Sequence, residues 1–331
     1  MSGLRLEDLA TSPNFKEHAP LLCPRTLRPS EDVVEELRRA DPKQLAVIVE
    51  NPEAPLAERL AAGGVLALLG DPRIGHQPHM SFVPGGHVEI GLREEEVEPV
   101  VKEWEHVGVE ASWIEKETPQ RAVRIDDFWI GTYPVTNWEY RNFLEHANRE
   151  VRPTTWYLGA YPYDRGNHPV AGIRAEDADD YVAWLSETTG HPWRLPTEAE
   201  WEHAAKGVSG SEFPWGTDFD PGAANTRESG VHQTTPVGAF PAGRAACGAY
   251  DMGGNVEEYV ADPYVPYPGG PYVADHLVQT LGEEYRVARG GSFSRFGDLT
   301  RTRRRHGAFP GPLYPVGLRI ATSVQPQSPT E

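Results

Sequence analysis

The stretch after Gly207 most constrains the fold, because it shows almost no helical periodicity along the rest of the chain. Short apolar runs alternate there with clusters of turn-forming residues. The chain of 331 residues also contains 33 glycines and 31 prolines, which interrupt regular helices and strands. This pattern favours a loop-rich α+β or all-β fold over a helical bundle. We therefore expect irregular structure to dominate the second half.

Three helices are predicted near the N-terminus from capping residues and helical spacing. Ser30 is a predicted N-cap followed by acidic residues, and a second helix is predicted at Pro42–Val49. A third helix is predicted at Pro55–Leu69, where Gly70 would end it. These helices resemble one or two units of a helical repeat, too few for a free-standing solenoid. We expect them to pack on the domain that follows.

The chain is predicted to comprise three parts. Residues 1–78 form an N-terminal helical module, and residues 79–323 form the main domain, with a helical insertion at about 93–118. Residues 324–331 form a tail that we expect to be disordered.

Capping boxes predict two helices of the main domain. They begin at Thr136 and Thr197, each followed three residues later by glutamate, and end near His146 and Lys206. A helix between them is predicted at Glu176–Glu187 from its inward-facing apolar spacing. Strands are predicted at Ser81–Leu92 (two strands about a Pro-Gly-Gly turn), Val123–Gly131 and Gly317–Ala321.

Large aromatic side chains in or beside these elements are predicted to pack in the core. They are Trp129, Trp138, Trp184, Trp193, Trp201, Tyr133 and Tyr140. The histidines His76, His79 and His87 are predicted to be exposed or hydrogen-bonded rather than metal-binding, because a proline separates the first two and the third lies in a strand.

Charge and cysteine content exclude several functional classes. The formal net charge of −18 argues against general affinity for nucleic acid or anionic membranes, so any anion site must be local. No apolar signal region and no run of 18 apolar residues occur, so we expect a cytoplasmic protein without a membrane segment. The two cysteines, Cys23 and Cys247, exclude a disulfide framework and a four-cysteine zinc site. The oligomeric state is left open.

Eight motifs occur in order between about residues 80 and 322. They are VPGGHVEIG, FWIGTYPVTNWEYRNFL, NHPVAGI, RLPTEAEWEHAAKG, ANTRESGVHQTTPVGAFP, YDMGGNVEEY, RGGSF and VGLRIA. Together they resemble the motifs of the formylglycine-generating enzyme, or sulfatase-modifying-factor, family. The resemblance implies a C-type-lectin-like α+β domain rich in irregular structure, preceded here by the small helical module. The family includes copper oxidases that form formylglycine, iron-using sulfoxide synthases, pyoverdine-maturation proteins and ligand-binding proteins, so it implies a fold rather than a reaction.

The resemblance implies a structural calcium ion in the glycine-rich motif. Its ligands would be Asp251, the carbonyl groups of Gly254 and Val256, and Glu258. Oxygen donors on a loop bent by glycine are what calcium requires. The alternative is that the two carboxylates only cap turns or are solvated.

A second, weaker calcium site is implied upstream. Asn225, Thr226 and Val231 would supply an amide side chain and backbone carbonyls, while Glu228 or Ser229 stands where the family has an acidic residue. Both sites would hold loops that bury too little apolar surface to be stable alone.

Formylglycine chemistry in this family depends on a pair of cysteines just after the RGGS segment, since thiolates bind copper(I). The segment Arg289–Asp298 has no cysteine, and Cys247 lies upstream. The sequence therefore predicts that no formylglycine is formed. The iron-using relatives take histidine ligands from an N-terminal helical domain, whereas the module here has only His18 before Gly70.

The segment Arg286–His306 concentrates positive charge, with seven arginines and one acidic residue, Asp298. Arginine binds carboxylates and phosphates in bidentate geometry, which favours an anionic substrate or peptide. The alternative is that these arginines form structural salt bridges with the acidic excess of the chain. We expect the structural role for Arg304.

The candidate functional residues follow from this segment and the glycine motif. Glu257, where the family commonly has tryptophan, and His306 are predicted to be catalytic. Arg295, Arg301 and Arg303 are predicted to bind the substrate. Because this set carries both charge signs, a zwitterionic or carboxylate-bearing ligand fits best.

Two functions remain open at this point. The first is a metal-assisted or oxidative modifying enzyme that acts on a small anionic or peptide substrate without forming formylglycine. The identity of any redox metal is not predicted. The second is a non-catalytic C-type-lectin-like protein that binds a ligand or peptide, since the known catalytic ligands are absent from the sequence.

Overall fold

The computed structural model describes residues 27–282, 285–309, 311 and 314–326. The first 26 residues, with His18 and Cys23, and most of the predicted C-terminal tail lie outside the described residues. Among the residues described, no helix is both long and apolar enough to span a bilayer.

The helices before Gly207 follow the predicted order, and a short helix after it, at His276–Leu281, was not predicted. The helices of the described residues are α1 (Glu31–Arg39), α2 (Pro42–Val49), α3 (Leu56–Leu69), α4 (Val97–Trp104), α5 (Ala111–Glu115), α6 (Asn137–His146), α7 (Ala175–Thr189), α8 (Glu198–Lys206) and α9 (His276–Leu281). The strands are β1 (Met80–Val83), β2 (Gly86–Ile90), β3 (Arg121–Ile125), β4 (Phe128–Gly131), β5 (Glu257–Pro263), β6 (Arg286–Arg289), β7 (His306–Gly307), β8 (Val316–Leu318) and β9 (Ala321–Thr322). The predicted α+β class is confirmed.

Local capping signals located the helices well. Ser30 accepts a hydrogen bond from the backbone of Val33 at the start of α1. Thr136 and Thr197 form the two expected capping boxes, and α6 and α8 end where they were predicted to end. These interactions satisfy backbone N–H groups that have no partner inside the helix, so they can be recognised from a few neighbouring residues.

The strand predictions were less accurate, because pairing depends on distant residues. The two strands predicted about the Pro-Gly-Gly turn are present as β1 and β2, but they pair with later strands and not with each other: β1 pairs with β4, and β2 pairs with β3. The strand predicted at Val123–Gly131 is two strands, β3 and β4, separated by two aspartates. The final predicted strand is likewise divided into β8 and β9, which belong to different sheets.

The helices α1–α3 pack against the main part of the chain through one apolar cluster. Leu45, Val49 and Leu66 are fully buried there together with Ala239 and Phe240. Burying a leucine or valine side chain contributes on the order of 1.5–3 kcal/mol. The helices are therefore held to the remainder by the hydrophobic effect.

Polar contacts add to this attachment. The Arg73 guanidinium donates to Glu50 at 2.9 Å and to the Val237 carbonyl at 2.9 Å. The hydroxyl groups of Tyr133 and Tyr250 also donate to Glu50. A single carboxylate on the helical side thus joins three groups that come from separate parts of the chain.

The predicted core aromatics are buried to different degrees. Trp201 and Tyr140 are almost fully buried, and Trp193 is 9% exposed. Trp138 and Trp184 are only half-buried and lie on α6 and α7. The predicted exposure of His76, His79 and His87 is confirmed.

The predicted insertion forms a small layer of its own. The helices α4 and α5 bury Trp104 and Ile114 in a cluster that also contains Phe213. The rings of Trp104 and Phe213 lie 6.4 Å apart in an edge-to-face arrangement. Because α5 is followed directly by Lys116 and Glu117, this layer brings two buried charged residues close to the arginine-rich segment.

Candidate functional site

The four-stranded sheet, with strand order β7-β6-β5-β8, brings the two predicted catalytic residues together. Tyr259 of β5 is in register with Ala288 of β6, and Ala288 is in register with His306 of β7. Glu257 lies two residues before Tyr259, so it shares that face of the sheet. Ala288 of β6 lies between β5 and β7 in this register, and its small side chain is compatible with the contact between Glu257 and His306.

Glu257 is fully buried and accepts hydrogen bonds from two side chains. Its Oε2 lies 2.8 Å from Nδ1 of His306, and its Oε1 accepts the hydroxyl of Tyr314 at 2.8 Å. Nε of Arg295 is 3.9 Å from the same Oε1. Four side chains thus form one cluster, the Glu257 cluster: Glu257, Arg295, His306 and Tyr314.

The electrostatics of the Glu257 cluster keep the carboxylate charged. Burial alone would raise the pKa of Glu257, but His306, Arg295 and the hydroxyl of Tyr314 together lower that pKa below its ordinary value. Burial and the charge of Glu257 raise the pKa of Tyr314 well above its ordinary value, so its hydroxyl stays a donor. A glutamate held this way fixes Nδ1 of His306 as the protonated nitrogen.

His306 lines a cavity of about 470 Å³ beside the cluster. No described residue forms a hydrogen bond with its Nε2, while Nδ1 is occupied by Glu257. The arginine Arg295 also lines the cavity, with 36% of its side chain exposed and its guanidinium 4.7 Å from the centre of the Tyr314 ring. His306, with Nε2 unbonded by the described residues, and the partly exposed Arg295 therefore line the same cavity.

Further charged residues line this cavity on its other sides. Arg227 places its guanidinium 4.9 Å from the centre of the Phe296 ring. Nζ of Lys116 is 2.6 Å from a carboxylate oxygen of Asp275, and both side chains are almost fully buried. The lining of the cavity therefore contains both positively and negatively charged side chains. Arg295 is more exposed than Lys116 and Asp275.

Lys116 is a buried amine whose pKa is perturbed. Burial, together with the nearby charge of Arg304, lowers the pKa of Lys116 to about 8, although Asp275 opposes the shift. Nζ also donates to the hydroxyl of Tyr285 at 3.2 Å. Because its partners enclose the amine, Lys116 contributes charge to the cavity wall and holds Asp275 in place.

The prediction that Arg301 and Arg303 bind substrate is not supported by their positions. Arg301 is fully buried, with NH1 donating to Glu117 at 3.0 Å and Nε donating to Glu212. Arg303 donates to Glu212 and to the carbonyls of Gly91 and Gly210. Their donors are used by Glu117, Glu212 and two backbone carbonyls, which agrees with the structural alternative raised from the sequence.

Arg304 has the structural role expected of it. Its side chain is 3% exposed, NH1 donates to the Trp113 and Arg305 carbonyls, and Nε lies 3.6 Å from Asp298. Of the three arginines predicted to bind substrate, Arg295 alone among the described residues lines the cavity beside His306.

The first predicted calcium set does not fit the ion as proposed. Both oxygens of Glu258 lie within 3.1 Å of Nε of Arg319, and Oε2 also accepts the indole N–H of Trp201 at 2.7 Å. Asp251 instead accepts the backbone N–H of Gly238 at 2.7 Å, and burial raises the pKa of Asp251 to about 6. A permanent cation already neutralises Glu258, so that carboxylate is not available to calcium.

The backbone around this set is strongly bent, as the glycine-rich motif indicated. Gly254 has φ +84, and a Cβ there would lie 2.8 Å from the Asn225 carbonyl oxygen. Val256 is buried beside it at 1% exposure. The close approach joins the two predicted calcium segments, because Gly254 and Asn225 form a bridge.

The second predicted set forms a hydrogen-bonded network rather than an open set of donors. Nδ2 of Asn225 donates to the Gln233 carbonyl at 2.9 Å, and its Oδ1 accepts the Ser229 hydroxyl at 3.2 Å. The Thr226 carbonyl accepts the same hydroxyl, and the Val231 backbone N–H donates to it. These contacts use the side-chain oxygen of Asn225 and the carbonyl of Thr226, two of the predicted calcium ligands, whereas Val231 takes part through its N–H and not through its carbonyl.

Transition-metal sites receive no support from the described residues either. Across residues 27–282, 285–309, 311 and 314–326, no three histidine, cysteine, aspartate or glutamate side chains cluster as metal ligands would. Cys247 is partly buried, and burial raises the pKa of its thiol. We therefore assign no reaction step to a bound metal.

Sequence reasoning missed several residues of the site. Tyr314, Arg227, Lys116 and Asp275 were not singled out, and they lie far from the RGGS segment in sequence. No local spacing connects them to Glu257 or His306. The one available signal was Lys116 itself, a lysine placed between two acidic residues and at the end of an apolar helix.

Comparison with known sequences identifies relatives of this chain. Residues 68–324 match the family model described as "Sulfatase-modifying factor enzyme 1-like domain". The chain is 33% identical over 213 residues to the hercynine oxygenase of Mycobacterium tuberculosis, covering 55% of this chain and 49% of that protein. It is 28% identical over 228 residues to the inactive C-alpha-formylglycine-generating enzyme 2 of Bos taurus, covering 54% of this chain and 69% of that protein. The chain thus spans about half the length of the hercynine oxygenase.

Comparison with solved structures also identifies a protein with a similar fold. PvdO from Pseudomonas aeruginosa matches with a TM-score of 0.56 and 26% sequence identity, and the match covers 75% of this chain and 95% of that one.

Proposed function

The chain belongs to the sulfatase-modifying factor family, and from that premise we propose that it binds a small anionic or zwitterionic substrate and moves a proton at His306. The observation that carries the proposal is the pairing of Nδ1 of His306 with the buried Glu257 at 2.8 Å, while the same imidazole lines a cavity. This arrangement leaves Nε2 as the nitrogen that accepts or returns a proton.

Each member of the Glu257 cluster has a role in this proposal. Glu257 stabilises the imidazolium that forms when Nε2 of His306 accepts a proton, and it stays ionised throughout. Tyr314 donates to the carboxylate at 2.8 Å and so keeps its orientation. Arg295, which is partly exposed, binds a carboxylate or another oxyanion of the substrate.

The cavity accounts for the substrate class. A volume of about 470 Å³ is within the range of small-molecule sites. The guanidinium groups of Arg227 and Arg295 attract an anion, whereas the Asp275 carboxylate is already paired with Lys116. A small carboxylate, including that of a free amino acid or of a peptide terminus, meets this requirement.

The named relatives support a modifying enzyme, since one of them is an oxygenase. An oxidative step would also need an oxidant and a group that activates it. The described residues provide no three-residue cluster to hold such a metal, so the proposal is limited to substrate binding and proton transfer.

A second function, ligand binding without catalysis, is favoured by one observation. The relative from Bos taurus is named as inactive, and the cysteines required for formylglycine formation are absent from the corresponding segment here. The same cavity would serve both functions, because neither the charges nor the volume depends on turnover.

The test begins with binding. Amino acids, dipeptides and phosphorylated metabolites are screened by thermal shift, and each hit is measured by calorimetry with the wild type and with Arg295→Gln, His306→Asn and Arg38→Gln. Arg38 is the matched control, because its side chain is 68% exposed on α1. We expect anionic or zwitterionic hits that weaken in Arg295→Gln and are unchanged in the control.

Turnover then separates the two functions. Each bound ligand is incubated with the protein in air and examined by mass spectrometry. Product formation that His306→Asn abolishes supports the enzyme. Tight binding with no product from any ligand supports the non-catalytic function, and hits that are all neutral contradict both.

A further inference from the structure

A second cavity lies on another part of the molecule, between α6, α7 and the segment that follows Arg73. It has a volume of about 200 Å³. None of the described side chains that line it is a lysine or an arginine. Its residues are separate from those of the Glu257 cluster and of the cavity beside it.

Aromatic rings form its walls. His76 lies 5.3 Å from Trp138, measured between ring centres, and their planes are inclined by 59°. Trp184 lies 5.7 Å from Tyr181 with planes inclined by 50° and 6.1 Å from His146. These rings line one cavity together, and the face of an aromatic ring carries a negative electrostatic potential that attracts cations.

The two tryptophans are the unusual part of this wall. Both were expected in the core, yet Trp138 and Trp184 are only half-buried. No described residue accepts a hydrogen bond from either indole N–H. The rings therefore leave apolar surface available to a ligand, whereas Trp201 of the core is fully buried and hydrogen-bonded to Glu258.

Glu139 contributes a carboxylate to the lining of the cavity. Oε2 of Glu139 accepts the backbone N–H and the hydroxyl of Thr136 at 2.8 and 2.7 Å. No described residue donates to Oε1. Burial raises the pKa of Glu139 to about 7, which is the expected response of a carboxyl that lacks a cationic neighbour.

One more polar group lacks a partner. Nδ2 of Asn142 is buried and forms no hydrogen bond with a described residue, and Asn142 lines the cavity. Buried donors are normally satisfied, so this amide is suited to a ligand that brings an acceptor oxygen. Lysine and arginine are absent from the described lining, and the net charge of −18 attracts cations to the protein.

We propose that this cavity binds a small organic cation, of the quaternary ammonium class, that also carries a hydroxyl or carbonyl oxygen. The onium group packs against Trp138, Trp184 and Tyr181, with Glu139 as its counter-charge, and the oxygen accepts from Asn142. The proposal is independent of the chemistry at His306, because the two sites share no residue.

Choline is the probe, and its neutral isostere 3,3-dimethylbutan-1-ol is the matched ligand control, since the two differ mainly in charge. Calorimetry is done with the full chain at pH 8, above the pKa of Glu139, and in constant salt. We expect choline to bind at least about tenfold more tightly than the alcohol, because the cation–π and charge terms act on the cation alone.

Two variants locate the site. Glu139→Gln keeps an acceptor for Thr136, so the helix cap is preserved while the charge is removed. Trp184→Leu removes one ring of the wall. We expect each to weaken choline about tenfold, whereas Trp129→Leu, on β4 and packed against Phe82, is the control and should bind choline as the wild type does.

Several results would overturn the proposal. Equal affinity for choline and the alcohol would show an apolar pocket without cation selectivity. Unchanged choline binding in Glu139→Gln would place any choline site elsewhere. No detectable choline binding by the wild type would remove the assignment. A melting curve of Glu139→Gln that matches the wild type verifies that a loss of binding is not a loss of fold.

Discussion

Glu257 and Glu258 are adjacent on β5 and both are buried, yet they have opposite surroundings. Glu258 faces Arg319 and the indole of Trp201, both of which are fully enclosed. Glu257 faces His306 and Tyr314 beside a cavity. Alternation along a strand sends neighbouring side chains to opposite faces, so one residue step separates a structural ion pair from a candidate catalytic pair.

Glu257 and Glu258 differ in the basic residue that binds each carboxylate, which is His306 for the first and Arg319 for the second. Arginine keeps its charge at every relevant pH, so a carboxylate bound to it from several directions cannot exchange protons or ligands. Histidine can gain and lose a proton near neutral pH, and its second nitrogen remains free. A buried glutamate is therefore a better functional candidate when its partner is histidine than when its partner is arginine.

The largest expected effect is on the structural side of this comparison. Glu258→Gln leaves the Arg319 guanidinium buried without its counter-charge, and breaking a buried ion pair costs about 3–5 kcal/mol. Urea unfolding of the variant and the wild type measures the loss. A change below about 1 kcal/mol would show that the pair is less important than its burial indicates.

The next effect concerns the functional side. Arg295→Gln should weaken binding of an anionic ligand by about 1.5–3 kcal/mol, because it removes a charged hydrogen-bond donor that is partly exposed. Its free energy of unfolding should change little. Arg301→Gln should show the reverse, with a loss of stability because the fully buried carboxylate of Glu117 and that of Glu212 lose a cationic partner. Calorimetry and urea unfolding of both variants measure the two effects, and identical behaviour would contradict the distinction.

The pH dependence of stability tests the surroundings of Glu257. The pKa of Glu257 in the folded protein lies below its ordinary value of 4.5, so its contribution to stability is present above that pH and is lost as the pH falls through the folded pKa. Unfolding free energies measured from pH 6 to pH 3 should fall less steeply in Glu257→Gln than in the wild type. Parallel curves for the variant and the wild type would mean that the pKa of Glu257 is the same in the folded and the unfolded protein.

The smallest expected effect is that of calcium removal. Because Arg319 occupies Glu258 and hydrogen bonds occupy Asn225, we expect the melting temperature to be unchanged by a chelator. Calcium at a hundredfold excess over its dissociation constant would stabilise the fold by roughly 3 kcal/mol, so a bound ion would be easy to detect. A clear fall on chelation would restore the calcium assignment and require Glu258 to exchange its partner.

The sequence predicted the parts of this protein whose causes are local. The capping boxes at Thr136 and Thr197 placed α6 and α8 correctly, because they join residues three positions apart. The ordered motifs identified the family, and the absence of cysteine after Ser292 predicts that no formylglycine is formed. Glu257 and His306 were also selected together, from their chemistry and from the position that glutamate takes in the motif.

Tertiary structure decided which charges meet. Arg301 binds Glu117 across 184 positions of the chain, and His306 binds Glu257 across 49. Nothing in a run of arginines distinguishes Arg295 at a cavity from Arg301 in an ion pair, since their sequence contexts are alike. Coulomb interactions and burial depend on distance in space, while capping and periodicity depend on distance along the chain. For that reason the sequence determined the fold family and most of its helices, and the three-dimensional arrangement alone separated the charges held in ion pairs from those at the candidate site.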